Sequence, residues 1–328
     1  MERSAGDPDA RTPHRTVCIV LSSNSLPYSS LCLRSLLRNR LDPFRLVLIT
    51  DEASDRDRLR AFVDEAGLAE EGVEIRVKAE TDALAEAAFA DRPNLRRFRD
   101  GHPCWLKITD PMLVSAPGDE VVVLDPDLFF PNPFRFEPSP ETGILLMRQG
   151  PNCLYPPEAV AEGFAAGLRF ADHVDIGVAQ YRREALDLDV LEEILSRQPF
   201  EAYAGFMHIE AIVWAALAMR LGGGHLDPGA WFCWQRGYIK RLADALGAPG
   251  TQLLRLEPIG RVKCAHLSGR SKWWAVEAFE RGIIRYGDRR LEAATGRLPF
   301  EEYATADFRR DRRMKRFAGT VSFGLIGG

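Results

Sequence analysis

Two carboxylates one residue apart, Asp125 and Asp127, directly follow the apolar run Glu120-Val121-Val122-Val123-Leu124. Side chains so spaced, just past a strand, can aim oxygen atoms at one divalent cation. Mg²⁺ and Mn²⁺ take such hard ligands and commonly share them with substrate phosphates. Pro126 between them removes a backbone donor and stiffens the turn. Asp-x-Asp alone is a common surface turn. Here it is bounded by EVVVL on one side and Leu128-Phe129-Phe130 on the other, which disfavours a freely solvated loop. A second group of reactive types comes much later, in Cys264-Ala265-His266-Leu267-Ser268-Gly269-Arg270-Ser271-Lys272-Trp273-Trp274. His266 offers a nitrogen ligand, Gly269 permits close backbone approach, and Lys272 can meet a phosphate as a point charge. Taken alone, this segment would equally suit a core histidine beside a solvated lysine and packed indoles.

The elements that must position these residues read as an alternating α/β pattern. Thr16 to Leu21 and Arg45 to Thr50 are short, apolar, β-branched runs, followed by Ser22-Ser23-Asn24-Ser25 and by Asp51. Helical spacing from Tyr28 to Asn39 and a charged run from Asp55 to Ala66 separate them from a further strand over Val73 to Val77. Leu106 to Ser115 reads as a helix before the Glu120–Leu124 strand. Gly143 to Arg148 reads as a strand, Val174 to Tyr181 as an apolar stretch that includes Asp175-Ile176-Gly177-Val178, and Met207 to Arg220 as a helix. Strands that are apolar throughout, rather than alternating, favour a mostly parallel sheet covered by helices. Ligands gather beyond the C-terminal strand ends of such sheets, where Ser22, Asn24 and Asp51 fall.

Bulk properties narrow the function. The 328 residues are 46% hydrophobic and 27% charged, an ordinary globular balance. A net charge of −4 and a pI near 6.0 argue against a nucleic-acid binder, though not against a nucleotide whose phosphates a metal neutralises. Six scattered cysteines without a CxxC pair suit free thiols in a reducing compartment. With no apolar leader at Met1 to Arg15 and no membrane-length apolar run, the expected location is cytoplasmic.

The two motifs together resemble the nucleotide-sugar glycosyltransferases of the GT-A fold, and glycosyltransferase family 8 in particular. That family pairs D-x-D at a strand end with a late H-x-x-G-x-x-K-x-W segment. Here Asp125-Pro126-Asp127 is followed, 139 residues after Asp127, by His266 through Trp274. The resemblance runs from about Thr16 to Trp274. It implies a Rossmann-like, mostly parallel central sheet in a catalytic domain over 16–275, with a nucleotide half (16–130) and a donor-sugar and acceptor half (131–275). A disordered tail (1–15) and a helical, basic extension (276–328) would flank it.

The resemblance also implies roles. Asp125, Asp127 and His266 would hold Mn²⁺ or Mg²⁺, with Asp125 also near the donor ribose. Lys272 and the backbone at Gly269 would grip the diphosphate, and Ser22, Asn24 and Asp51 would form the nucleotide pocket, with uridine as the implied base. Lys107 matches a basic position of the family ahead of the D-x-D strand; a solvated place on its helix is the plainer reading. Asp175-Ile176-Gly177-Val178 resembles the family's N-S-G-V segment, and Glu210 falls near its D-Q pair. Asp175 and Glu210 are thus candidate nucleophiles or charge stabilisers. Trp231 and Trp234 are candidates for stacking in an acceptor groove or for the core.

The implied reaction moves a hexose from a UDP-sugar to a hydroxyl of a carbohydrate, lipid-linked or protein acceptor, with retention of anomeric configuration. A non-catalytic nucleotide-sugar-binding protein of the same fold is the alternative from another class. A sugar nucleotidyltransferase is the other, although Ser22 to Tyr28 lacks the glycine and lysine of its usual loop. The basic run Phe308 to Phe317 offers peripheral contact with anionic lipid, against a plain solvated terminal helix. Oligomeric state is not readable.

Overall fold

A computed structural model describes residues 14–314, except 151, 153, 236, 238, 239, 241, 242, 244, 245 and 295. The N-terminal tail up to residue 13 and the end of the basic run, residues 315–317, lie outside the described residues.

One seven-stranded sheet dominates. Its strands are β1 (Arg15–Val20), β2 (Arg45–Thr50), β3 (Glu74–Val77), β4 (Glu120–Leu124), β6 (Ile144–Arg148), β7 (Val174–Arg182) and β8 (Gly223–His225), in the order β3-β2-β1-β4-β7-β6-β8. β7 runs antiparallel to both its neighbours, β4 and β6, and the remaining pairs are parallel. The expected mostly parallel sheet flanked by helices is the architecture found.

The apolar strands follow from burial on both faces. In β4, Val121 and Val123 join the core under one helical layer while Val122 and Leu124 join the core on the opposite face. Each such side chain contributes about 1.5–3 kcal/mol through burial. Helices α1 (Leu26–Asn39) and α2 (Asp55–Glu65) supply Leu33, Leu36, Leu59 and Val63 to the second core. Helices α3 (Lys78–Ala88), α4 (Pro93–Arg99), α5 (Leu106–Val114), α6 (Pro157–Ala165), α7 (Leu188–Arg197) and α8 (Ile209–Leu221) complete the flanking layers.

A second sheet of three very short strands sets the site. β5 (Leu128–Phe129) and β9 (Trp231–Cys233) flank β10 (Cys264–His266), in the order β5-β10-β9. Helices α9 (Gly250–Arg255) and α10 (Ser271–Glu280) follow β9 and β10.

The extension differs from the expected helical segment. The described residues of 288–304 contain no helix and form bridges Phe134–Leu291, His225–Leu298 and Ala171–Glu302 before helical residues 305–314. The physical reason is an open edge: Leu298 exchanges backbone hydrogen bonds with His225 on β8, and Glu137 accepts from the Ala294 amide. In the terminal helix, Arg310 pairs with Asp307 at 2.7 Å and Arg312 with Glu158 at 3.2 Å, so part of the basic charge is internally matched. No helix of the described residues is long and apolar enough to cross a membrane.

Candidate active site

Two strand pairings and one flanking hydrogen bond assemble the motifs. β4 delivers Asp125, whose amide donates to the Gly177 carbonyl of β7 at 2.9 Å. The Asp-Pro-Asp turn leads straight into β5, where Leu128 stands opposite His266 of β10. The Leu267 amide donates to the Asp127 carbonyl at 3.1 Å. Residues 139 positions apart are therefore locked side by side by backbone hydrogen bonding.

His266 Nε2 lies 3.2 Å from Asp127 Oδ1 and 3.6 Å from Asp125 Oδ2. All three side chains are largely buried, yet Asp127 Oδ1 and His266 Nε2 have no aligned hydrogen-bond partner. Leaving such atoms unsatisfied costs about 1–3 kcal/mol each, and more for charged groups. Two oxygens and an imidazole nitrogen within 4.8 Å of one another fit a divalent cation, which would satisfy both orphans at once.

The same carboxylates set the charge of the ring. Burial alone would depress His266, but the Asp175 and Asp127 carboxylates outweigh it and hold the imidazole well above its ordinary range. Burial would likewise raise Asp127, but the adjacent His266, with help from the charges of Lys272 and Lys107, keeps it below its usual value.

Above this centre opens a cavity of about 610 Å³, within the size range of small-ligand sites. It lies at the C-terminal ends of β1, β2 and β4. Ser22, Asn24, Asp51, Lys107, Asp125, Asp127 and Lys272 all line it. Tyr28, Arg58, His102, Cys104 and Met207 line it too, and the sequence carried no spacing signal for any of them. Burial pushes the Cys104 thiol up to about 12, against the pull of Lys107, so it faces the cavity as a neutral group.

Lys272 sits in the first turn of α10, its Nζ 4.1 Å from the centre of the Tyr28 ring. Trp273 meets the same ring edge-on at 5.2 Å. Gly269 has φ +65°, the left-handed conformation that lets the chain turn from β10 into this helix.

Lys107 departs from the solvated reading. It is buried, and its Nζ donates to Asp125 Oδ1 and Glu210 Oε1, both at 2.6 Å. Burial opposes its charge, but the two carboxylates prevail and raise its pKa well above the ordinary value. Glu210, at the start of α8, is not among the lining residues and is committed to Lys107. Burial, aided by Asp125 and opposed by Lys107, pushes it up to about 8.

Asp175 is not on the cavity wall either. Its Oδ1 accepts from the Gly177 amide at 3.0 Å and lies 2.7 Å from His266 Nδ1, while Cys233 Sγ donates to Oδ2 at 3.2 Å. Trp231 and Trp234 are 0% and 6% exposed, and Trp231 Nε1 donates to Glu137, so both belong to the core and not to a stacking groove. Exposed rings stand elsewhere: Tyr155 and Phe206, with centroids 6.0 Å apart, beside the cavity-lining Met207.

No family model matches the chain, and no curated protein matches it in sequence. Among solved structures it is similar to mouse xyloside xylosyltransferase 1, at 14% identity over 79% of this chain and 99% of that one, with a TM-score of 0.48. It is also similar to the galactosyltransferase LgtC, crystallised with donor and acceptor sugar analogues, at 14% identity over 82% and 95% of the two chains, TM-score 0.47. A third is the Streptococcus pneumoniae glycosyltransferase GlyE, at 14% identity over 83% and 62%, TM-score 0.46. These likenesses are distant, and the site stands on its own geometry.

Proposed function

We propose that the protein is a metal-dependent glycosyltransferase of the GT-A type, moving a hexose from a nucleotide-diphosphate sugar, with uridine as the base, to an acceptor hydroxyl. The observation that carries this reading is the pair of orphaned buried atoms, Asp127 Oδ1 and His266 Nε2, aimed together beneath a cavity that also holds Asp125 and Lys272. Asp125, Asp127 and His266 would hold Mn²⁺ or Mg²⁺. When bound, the cation supplies electrostatic stabilisation of a departing diphosphate.

The remaining work falls to the chain itself. Lys272 lies over the Tyr28 ring and reaches the cavity from the N-terminus of α10, where a cationic side chain and backbone amides favour phosphate. Ser22, Asn24 and Asp51 offer hydroxyl, amide and carboxylate groups for the nucleoside. Lys107 fixes Asp125 by one of its oxygens and leaves the other, Oδ2, on the His266 side. The acceptor enters beside Met207, where Phe206 and Tyr155 are 40% and 47% exposed.

Retention is read as a front-face transfer. Asp175 is engaged by His266 and Glu210 by the buried Lys107, and neither carboxylate lines the cavity, which favours the leaving diphosphate as acceptor of the hydroxyl proton over a covalent adduct on either one. The decisive experiment is a screen of nucleotide-diphosphate sugars for hydrolysis and transfer, with and without Mn²⁺. Turnover of one donor that needs the metal is expected. Donor binding without turnover across a broad acceptor panel points instead to the non-catalytic alternative, and failure to bind any nucleotide sugar overturns both.

A further inference from the structure

We propose that Asp175 is a positioning residue of this metal centre: its carboxylate holds the His266 ring by Nδ1 and so keeps Nε2 aimed between Asp125 and Asp127. The inference rests on the cation-site reading above and departs from the sequence expectation of Asp175 as a nucleophile or charge stabiliser.

The backbone builds this hold deliberately. Along the β6–β7 pair, Leu146 stands opposite Ala179 but Met147 stands opposite Asp175, so residues 176–178 bulge out of register. Bulges of this kind re-aim side chains next to functional sites. Here the bulge turns the Asp175 carboxylate toward β10. Gly177 leaves room for the ring: a Cβ there would lie 2.6 Å from His266 Nδ1 and 2.8 Å from Cγ. The imidazole thus occupies a slot cut by Gly177 and closed by Asp175.

Hydrogen bonding separates the two ends of the ring. At the Nδ1 end every group is satisfied within the protein: Asp175 Oδ1 by His266 and the Gly177 amide, Asp175 Oδ2 by the Cys233 thiol. Asp175, Cys233 and His266 also cluster closely enough to suggest a second cation position. Their mutual satisfaction argues against it, because a cation there would have to displace bonds already made. At the Nε2 end the partner atoms are orphaned. A ligating histidine anchored through its other nitrogen by a carboxylate gains both orientation and basicity, and losing such an anchor typically lowers metal affinity 10–100-fold, as an order of magnitude.

The test uses the full chain and Mn²⁺ alone, followed through the electron paramagnetic resonance signal of the free aqueous ion. Asp175→Ala is expected to bind Mn²⁺ roughly 10–100-fold more weakly. Asp175→Asn, which retains an acceptor oxygen without the charge, should fall between it and the wild type. Thermal unfolding in chelator reports whether either variant still folds. Independently of any metal, ¹⁵N-histidine spectra of the wild type should show His266 protonated at Nδ1, with that proton shifted far downfield and the shift lost in Asp175→Ala. Should Asp175→Ala fail to fold, Asp175→Asn with wild-type Mn²⁺ affinity overturns the proposal. So does a folded Asp175→Ala with unchanged affinity, or an Nδ1 that carries no proton in the wild type. Wild-type protein that takes up no Mn²⁺ overturns the cation-site reading as well, whereas uptake that is indifferent to Asp175 overturns this inference alone.

Discussion

Two clusters of buried charge lie in this molecule, and they are built to opposite rules. Around Asp110, 0% exposed, every bonding opportunity is used. Its oxygens accept from Thr81, Thr109 and Arg99, and Arg99 spends its remaining donors on Asp82, Thr81 and the Lys78 carbonyl. Around Asp125, Asp127 and His266, less deeply set, two buried atoms are left unmatched. Buried charge is tolerated when its lone pairs and protons are satisfied. A closed network is therefore scaffold, tying α3, α4 and α5 together. An open one is a place that something else completes.

The contrast can be broken most forcefully at its closed end. Asp110→Ala should cost about 3–5 kcal/mol, read by urea unfolding, because Arg99 loses its buried carboxylate and keeps only that of the part-exposed Asp82, with Mn²⁺ affinity unchanged in the folded fraction. A loss well under this would mean that satisfaction inside the network is not what holds those helices. At the open end, adding Mn²⁺ at about one hundred times its dissociation constant should stabilise the wild type by about 2.7 kcal/mol. For a chain of this size that is a rise of about 4 °C in the unfolding midpoint. Asp127→Ala should abolish the rise while unfolding normally in chelator; a persisting rise would place the cation elsewhere. The smallest effect is expected where charge plays no part. Removing one exposed ring, by Tyr155→Ala or Phe206→Ala, should raise the acceptor KM about fivefold, roughly 1 kcal/mol, and leave donor hydrolysis unaltered. Equal changes in both would move the acceptor away from this rim.

Much of the sheet and one half of the site were legible in the sequence. β2 and β4 are found at their expected bounds, and the other expected strands differ by a residue or so, because apolar runs buried on both faces leave no other reading. Ser22, Asn24, Asp51 and Asp125, read from the sequence as lying at strand ends, all line the one cavity because strand ends face one side of such a sheet. What escaped was carried by elements too short for periodicity. β5, β9 and β10 span two or three residues each, yet they decide that His266 meets Asp127 and that Cys233 meets Asp175. Burial of a lone charge also left no trace: nothing in Leu106-Lys107-Ile108 tells a solvated lysine from one clasped by Asp125 and Glu210. Helix α3, Lys-Ala-Glu-Thr-Asp-Ala-Leu-Ala-Glu-Ala-Ala, went unassigned because its alanines blur the apolar face.

The strap over residues 288–304 bears on how the protein can be handled. β8 is one of the sheet's two edge strands, and Leu298 occupies hydrogen-bonding positions on it that would otherwise be open to another chain. Exposed sheet edges recruit strands from neighbouring molecules. The strap therefore acts as a selvage, finishing a border that would fray into aggregates if the chain were cut after the late histidine motif. A recombinant version trimmed to the resembling region alone would keep every residue of the site and lose the hem that keeps copies apart.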